Sequence, residues 1–187
     1  MTSILLSGPA QEPVTLDDAK AFLRVEHDAD DDVIAALIAG ARIHIEAQTR
    51  RALMTQTWRI VRDAWPPDGR IAVMPVPLRQ LTAARVFKGD GSAQAIAAEE
   101  FMLDKASAPA VISFGAIPSP GRVIAGIELD IECGYGAEPS DVPAPLRQAI
   151  RMLVAHWYEN RGVTGDVRSL LPQSVASLIA PFRVLSL

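Results

Sequence analysis

The amino-acid sequence predicts an α+β protein, an antiparallel helical bundle with a small, mostly antiparallel β-subdomain inserted between two long helices. Apolar residues recur at helical spacing in two long segments, residues 30–50 and 143–161. The residues between these segments lack that period and are punctuated by Pro and Gly, which is typical of short strands. With 187 residues, 49% of them hydrophobic, the chain can bury the core of a single domain.

Helices are expected at both ends of the chain. Thr15 is a good N-cap for a short helix over residues 16–24, because its hydroxyl can accept a hydrogen bond from the first turn. Acidic residues 30–32 begin the long second helix, whose central Gly40 indicates the close approach of another backbone. Asp141 and Pro143 are expected to start the third helix, and a shorter one follows over residues 173–180.

The middle of the chain is expected to form strands. The predicted strands cover residues 54–65, 70–74, 81–87, 101–103, 111–114 and 123–133, and residues 88–91 read as a tight turn. In the last strand Ile127, Leu129, Ile131 and Cys133 alternate with Glu128, Asp130 and Glu132. Since alternate residues of a strand point to opposite faces, one face is apolar and the other carries the carboxylates. The simplest interpretation of those carboxylates is an exposed sheet face.

These elements divide one domain of 187 residues into four parts. The predicted parts are N-terminal helices over residues 15–51, an inserted β-subdomain over 53–135, C-terminal helices over 143–180 and a tail over 181–187. Residues 1–13 read as a short ordered or fraying arm.

Composition excludes several classes of protein. Cys133 is the single cysteine, so the chain can build neither an internal disulfide nor a cysteine zinc site. No secretory signal and no membrane span are expected, because the longest apolar helical stretch falls far short of about 20 residues. Residues 1–32 hold eight acidic and two basic residues, and the arginines elsewhere are scattered. Such a pattern disfavours tight, sequence-specific DNA binding.

Candidate metal ligands and nucleophiles are incomplete. Asp28, Asp30 and Asp32 resemble the start of a calcium loop, but Val33 and Ala39 stand where the loop needs Gly and Glu. His156 and Glu159 can share a helix face and still lack a third ligand. The favoured interpretation of Cys133 is a small buried hydrophobe. With no nucleophile or phosphate-loop motif in the chain, the prediction is that it is not an enzyme and holds no cofactor or metal.

Several short motifs, in this order and spacing, resemble the tailed-phage head-tail connector (adaptor) family. They are Pro13-Val14-Thr15-Leu16-Asp17-Asp18-Ala19-Lys20, Leu23-Arg24-Val25, Arg51-Ala52-Leu53-Met54-Thr55-Gln56-Thr57-Trp58, Gly134-Tyr135-Gly136, Val142-Pro143-Ala144-Pro145-Leu146-Arg147-Gln148-Ala149-Ile150 and His156-Trp157-Tyr158-Glu159-Asn160-Arg161. The family occurs in phages, prophages and gene transfer agents.

The resemblance implies a structural subunit. About twelve copies would form a ring in the neck of a phage or phage-like particle, joining the portal to the next neck or tail protein around a channel for DNA. The subunit would be made in the bacterial cytoplasm. By analogy the tail would dock into the portal through Phe182, Arg183, Val184, Leu185 and Leu187, and four of these five residues are apolar.

Other interpretations of the sequence stay open. Within the structural class the chain could be a stopper or a tail-completion protein, and outside it a DNA-associated assembly factor or a metal-dependent enzyme. A further hypothesis concerns Glu128, Asp130 and Glu132. If they line the channel, their negative charge would repel DNA phosphates and let the duplex slide.

Overall fold

Helices and antiparallel strands make up the computed structural model, which describes residues 2–160 and 171–185, and the α+β class is thereby confirmed. The helices are α1 (Leu16–Leu23), α2 (Asp31–Thr49), α3 (Ala144–Glu159) and α4 (Gln173–Ile179). The strands are β1 (Thr2–Ser7), β2 (Gln56–Arg62), β3 (Arg70–Val73), β4 (Leu78–Phe87), β5 (Ala93–Ile96), β6 (Phe101–Asp104), β7 (Ala110–Phe114) and β8 (Ile127–Cys133). Short 3-10 turns cover Ala98–Glu100, Pro139–Asp141 and Ala180–Phe182. Leu187 and Arg161, named in the sequence predictions, lie outside the described residues.

The described residues fall into two compact units. A β unit takes in residues 2–9, 55–135 and 185, and a helical unit takes in residues 10–54, 136–160 and 171–184. The helical unit is therefore built from two separate stretches of chain. The β unit supplies the strands that come between those stretches in sequence.

The core of the helical unit lies between α2 and α3, with α1 and α4 packed against them. The apolar stripes of the helices fill this core because residues three and four apart share a helix face. Val33, an apolar residue of the first turn of α2, is 41% exposed and lies outside this core. The buried apolar residues of α2, α3 and α4 are Ile34, Ile38, Ala41, Ile45, Leu146, Ala149, Ile150, Leu153, Val154, Val175 and Ile179.

Side-chain caps were predicted for the starts of α1 and α3, and the structure confirms the first of them. The Thr15 hydroxyl accepts a hydrogen bond from the Asp18 N–H (3.1 Å), which confirms the predicted cap of α1. Asp141 does not cap α3 as expected. Its carboxylate accepts from the Glu138 N–H (3.0 Å) and closes the 3-10 turn that precedes the helix. The N-cap position of α3 is occupied by Pro143, whose side chain has no hydrogen-bonding group.

Gly40 of α2 has a different neighbour from the one its sequence position suggested. A Cβ built on Gly40 would lie 3.5 Å from the Trp157 ring and would touch no other residue within 4 Å. The close approach is therefore made by an aromatic side chain, and the expected approach of another backbone is wrong.

The β unit contains two antiparallel sheets in the described residues. The larger has the strand order β1-β2-β8-β4-β5, and the smaller has the order β3-β7-β6. Residues 88–91 form the predicted tight turn, with the Gly91 N–H donating to the Lys88 carbonyl (2.9 Å), and they connect β4 to β5. Strands β1 and β5 are the two outer strands of the larger sheet, and the sequence patterns identified neither of them.

The central strand β8 confirms the predicted alternation. Ile127, Leu129, Ile131 and Cys133 are completely buried on one face of the larger sheet. On the other face Glu128, Asp130 and Glu132 lie beside residues of β2 and β4. No helix in the described part of the chain is both long and apolar enough to cross a membrane.

Candidate functional site

Three of the C-terminal residues predicted to bind the portal, Phe182, Arg183 and Val184, lie against the end of α2. The Val184 N–H donates to the Thr49 carbonyl (3.1 Å), and the Arg51 Nε donates to the Phe182 carbonyl (2.6 Å). Arg183 reaches the side-chain oxygen of Gln48 through Nη2 (2.7 Å). We call residues 182–184, with these contacts, the docked tail segment. It satisfies carbonyl groups at the helix end that have no partner within the helix.

This docking changes which tail residues are available to a partner. Val184 is only 6% exposed and Phe182 is half-buried, whereas Leu185 is 83% exposed. Phe182 and Val184 therefore already have contacts within the helical unit. Leu185 is the apolar residue of the described tail that remains open to contact, and Leu187 lies outside the described residues.

The second candidate surface is the carboxylate face of the larger sheet. Asp130 on β8 accepts two hydrogen bonds from Arg59 on β2, at 2.7 and 2.9 Å, and one from Arg85 on β4, at 2.9 Å. Glu128 lies 3.2 Å from Arg59 and 3.6 Å from Arg85. Further along the sheet, Glu132 pairs with Arg79 on β4 at 2.9 Å. We call these six residues the ion-pair ladder: Arg59, Arg79, Arg85, Glu128, Asp130 and Glu132.

Charge on the ion-pair ladder is balanced. Three arginines face three carboxylates, so the surface does not carry the negative charge expected of Glu128, Asp130 and Glu132 alone. Asp130 is 6% exposed and is not part of an exposed face, which corrects that interpretation. Hydrogen bonds from Arg59, and then from Arg85, lower the pKa of Asp130 despite its partial burial.

The arginines of the ladder were not singled out from the sequence. Cross-strand register places Arg59 directly opposite Asp130, and Arg85 directly opposite Glu128. Opposite charges at such positions attract each other across a sheet. The available signal was that Arg59 stands between the apolar residues Trp58 and Ile60 in β2, but its partner strand could not be read from that pattern.

The acidic start of α2 is not a calcium site. Lys20 binds Asp28 and Asp31 at 2.6 and 2.7 Å, while Asp30 accepts a hydrogen bond from the Tyr158 hydroxyl. Asp32 is exposed. Asp28, Asp30 and Asp32 therefore do not form a metal-binding group in the described residues, and the acidic residues 30–32 mark the start of α2 as expected.

The remaining candidate metal ligands and nucleophile are His156, Glu159 and Cys133. Within residues 2–160 and 171–185, no group of three or more His, Cys, Asp or Glu side chains could hold a metal ion, and His156 and Glu159 belong to no such group. Cys133 is completely buried, as predicted. Burial, followed by the charge of Glu132, raises the pKa of its thiol to about 12. A thiol with that pKa is a poor nucleophile at neutral pH.

Part of the chain is similar in sequence to a known protein family. The model of the family described as phage gp6-like head-tail connector protein matches residues 13–89. The resemblance to head-tail connectors is confirmed. The matched residues contain α1, α2 and the strands β2 to β4. No curated protein matches the chain.

Solved structures share the fold of this connector-like chain over nearly its full length. One chain, from the neck of an empty gene transfer agent (GTA) particle computed with C6 symmetry, gives a TM-score of 0.84 at 24% identity. A second, from the virion of a native GTA particle, gives 0.82 at 24% identity. A third, from the neck of a native GTA particle computed with C12 symmetry, gives 0.76 at 26% identity. Each likeness covers 100% of this chain and 97% of the other.

Proposed function

We propose that this chain is a structural subunit of a particle neck, and that about twelve copies form a ring between the portal and the next neck or tail protein. The observation that carries the proposal is the head-tail connector match over residues 13–89. The likeness in fold to chains of GTA necks supports it over the whole length. The family and these neighbours are structural neck proteins rather than enzymes.

In this proposal the whole chain is a single connector domain. Its parts are the N-terminal helices over residues 15–51, the inserted β-subdomain over 53–135, the C-terminal helices over 143–180 and the tail over 181–187. The helices form an antiparallel bundle, and the β-subdomain is inserted between the two long helices in sequence. Support for the ring comes from the likeness to a chain of a neck with C12 symmetry, because twelvefold symmetry requires identical copies around an axis.

The tail is the part of the chain that we assign to the portal. Leu185 can make this contact as it stands, because it is 83% exposed. Phe182 and Val184 can take part only if the docked tail segment leaves α2 and gives up its hydrogen bonds to Thr49 and Arg51. We therefore expect Leu185 to make the first contact with the portal.

Substitution of Leu185 tests this assignment. Because the side chain is exposed, Leu185→Asp leaves folding intact, and its capture by purified portal rings should weaken about tenfold through the cost of burying a charge. The matched control is Met102→Asp, which places the same charge at a 73% exposed apolar residue of β6. If both Leu185→Asp and a chain that lacks residues 182–187 are captured as well as the unsubstituted chain, the tail is not part of the portal interface.

We also retain the channel assignment for Glu128, Asp130 and Glu132, with a different physical reason. The ion-pair ladder is balanced in charge, so it would neither bind nor strongly repel phosphate groups. An assembled neck structure tests the orientation. The ladder on the lumen wall supports the assignment, and the ladder on the outer wall overturns it.

The neck function itself is tested in particles. Electron microscopy of purified particles that carry a tagged chain should place the tag in a ring at the neck. Particles made without the chain should have filled capsids and separate tails. Normal joining of capsids and tails in the absence of the chain would contradict the proposed function.

A further inference from the structure

The outer strand β1 is exposed along its whole length. It pairs with β2 on one side, and no strand of residues 2–160 or 171–185 pairs with its other side. All six residues are exposed, and Ile4, Leu5 and Leu6 retain 45–47% of their accessible surface. The strand contains no charged residue and no proline. Monomeric proteins usually protect an edge with such residues, so an unprotected apolar edge indicates a strand that receives a partner.

The opposite edge of the same sheet has complementary features. Strand β5 pairs with β4 and is also free of charged residues. Beside it lies an open hollow of about 240 Å³. Its lining includes Ile96 of β5 and Ile117 of the loop that follows β7, together with alanines, Pro118 and Glu100. The hollow is open and leaves room beside β5 for a side chain from a neighbouring strand.

We infer that β1 of one copy adds to the β5 edge of the next copy, so that the larger sheets of adjacent subunits join. Main-chain hydrogen bonds would hold the two strands together, as when an extended segment adds to an exposed sheet edge. The inference rests on the proposed function, because it takes the partner to be a second copy in a ring.

Ring symmetry favours this pairing over the self-pairing of β1. A ring of more than two copies needs a heterologous contact, in which two different surfaces of each subunit meet. The larger sheet offers two different uncharged edges at its opposite ends. Pairing of β1 with β1 would instead close a twofold dimer and leave the β5 edge unused.

A photo-crosslinking residue in place of Leu5 tests the inference in purified particles. Within one subunit β1 and β5 are four strand spacings apart, about 19 Å, so a short crosslinker cannot join them internally. We expect crosslinked multimers of the chain, with mass spectrometry locating the attachment at residues 91–97 of another copy. Attachment elsewhere on the chain, attachment to a portal or other neck protein, or no product from particles whose necks contain the chain would each overturn it.

A charge on the edge provides a second test. Leu5→Lys should lower the amount of chain incorporated into necks by about tenfold, since a lysine on an edge strand opposes pairing. Met102→Lys, on the exposed outer strand of the smaller sheet, is the matched control and should assemble normally. Circular dichroism of both purified variants monitors the fold. Normal incorporation of Leu5→Lys would contradict the pairing.

Failure of this inference can be distinguished from failure of the proposed function. The same particle preparations are examined for the presence of the unsubstituted chain at the neck. If the chain is there and Leu5 crosslinks elsewhere, the neck function stands and the β1–β5 pairing falls. If the chain is absent from necks, both the proposed function and the β1–β5 pairing are contradicted.

Discussion

The backbone N–H of Val184 donates a hydrogen bond to the carbonyl oxygen of Thr49, at 3.1 Å, and thereby ties the C-terminal tail to the end of α2. Thr49 is the last residue of α2, where carbonyl groups lack partners within the helix. The bond supplies one such partner and buries the Val184 side chain at the same time. The docked tail segment is therefore part of the helical unit rather than a free arm.

Substitution of Val184 should separate the two roles of the tail. Val184→Ala removes buried apolar surface and is expected to lower the free energy of unfolding by about 1 to 2 kcal/mol, as measured by denaturant unfolding. Leu185→Ala is the control, because an 83% exposed side chain contributes little, and it should stay within about 0.5 kcal/mol of the unsubstituted chain. Equal effects of the two changes would show that residue 184 is not buried in solution.

The ion-pair ladder predicts a specific dependence on pH. Asp130→Asn removes the carboxylate that Arg59 and Arg85 share, and should cost about 2 kcal/mol of unfolding free energy at pH 7. Because the pKa of Asp130 is lowered in the folded state, its contribution is complete above the ordinary carboxyl pKa of about 4. The contribution is lost as the pH falls through the lowered value.

Denaturant unfolding between pH 2 and pH 8 measures this dependence. The difference between the unsubstituted chain and Asp130→Asn should be constant from pH 5 to pH 8 and should shrink below about pH 4. Glu99→Gln, on an exposed turn, is the control and should change stability by less than about 0.5 kcal/mol. A difference that persists unchanged at pH 2 would show that Asp130 does not act through its charge.

Gly136 should not tolerate a side chain. A Cβ at this position would overlap the side chain of Asp141, whose carboxylate closes the turn at Glu138. Gly136→Ala must displace that carboxylate and is expected to lower the free energy of unfolding by about 1 to 3 kcal/mol. Gly115→Ala is the matched control, because no atom lies within 4 Å of its Cβ position. Similar stabilities for the two variants would contradict the packing at Gly136.

Gly40 should accept alanine and become more stable. Its added Cβ would lie 3.5 Å from the Trp157 ring, which is ordinary van der Waals contact. Alanine has the higher helix propensity, so Gly40→Ala is expected to raise the free energy of unfolding by about 0.5 to 1 kcal/mol. A loss of stability in thermal or denaturant unfolding would show that the Trp157 ring cannot accept the methyl group.

Cys133 should resist alkylation in the folded protein. With its pKa raised from 9.0 to about 12, the thiolate fraction at pH 8 is lower by about a thousandfold. Iodoacetamide labelling followed by mass spectrometry should therefore show almost no reaction at pH 8 in buffer and complete reaction in concentrated guanidinium. Rapid labelling in buffer would mean that the end of β8 opens readily.

Local patterns predicted the inner strands and the long helices well. Alternation along β8 identified its buried face, because a strand that packs on one side requires apolar residues at every second position. Helical spacing likewise identified α2 and α3. Strand β1 escaped prediction because all of its side chains are exposed and no core imposes an alternation on them.

The candidate surfaces depend on contacts between residues distant in the chain. The tail looked unpartnered from sequence because Val184 is 135 positions beyond Thr49, and no local pattern reports that bond. The carboxylates of β8 looked exposed for the same reason, since their arginines come from β2 and β4. Register between strands is set by the packing of the whole sheet, which a single strand does not encode.

The sequence by itself determined the secondary structure of the central elements, the absence of an internal disulfide and the resemblance to head-tail connectors. These properties follow from residue identity and short spacings, which act within a few turns or strand positions. Only the tertiary structure decided that the ion-pair ladder is balanced, that Val184 is docked against α2, and that β1 and β5 form the two edges of one sheet. Each of these requires chain segments far apart in sequence to meet, and long-range packing alone brings them together.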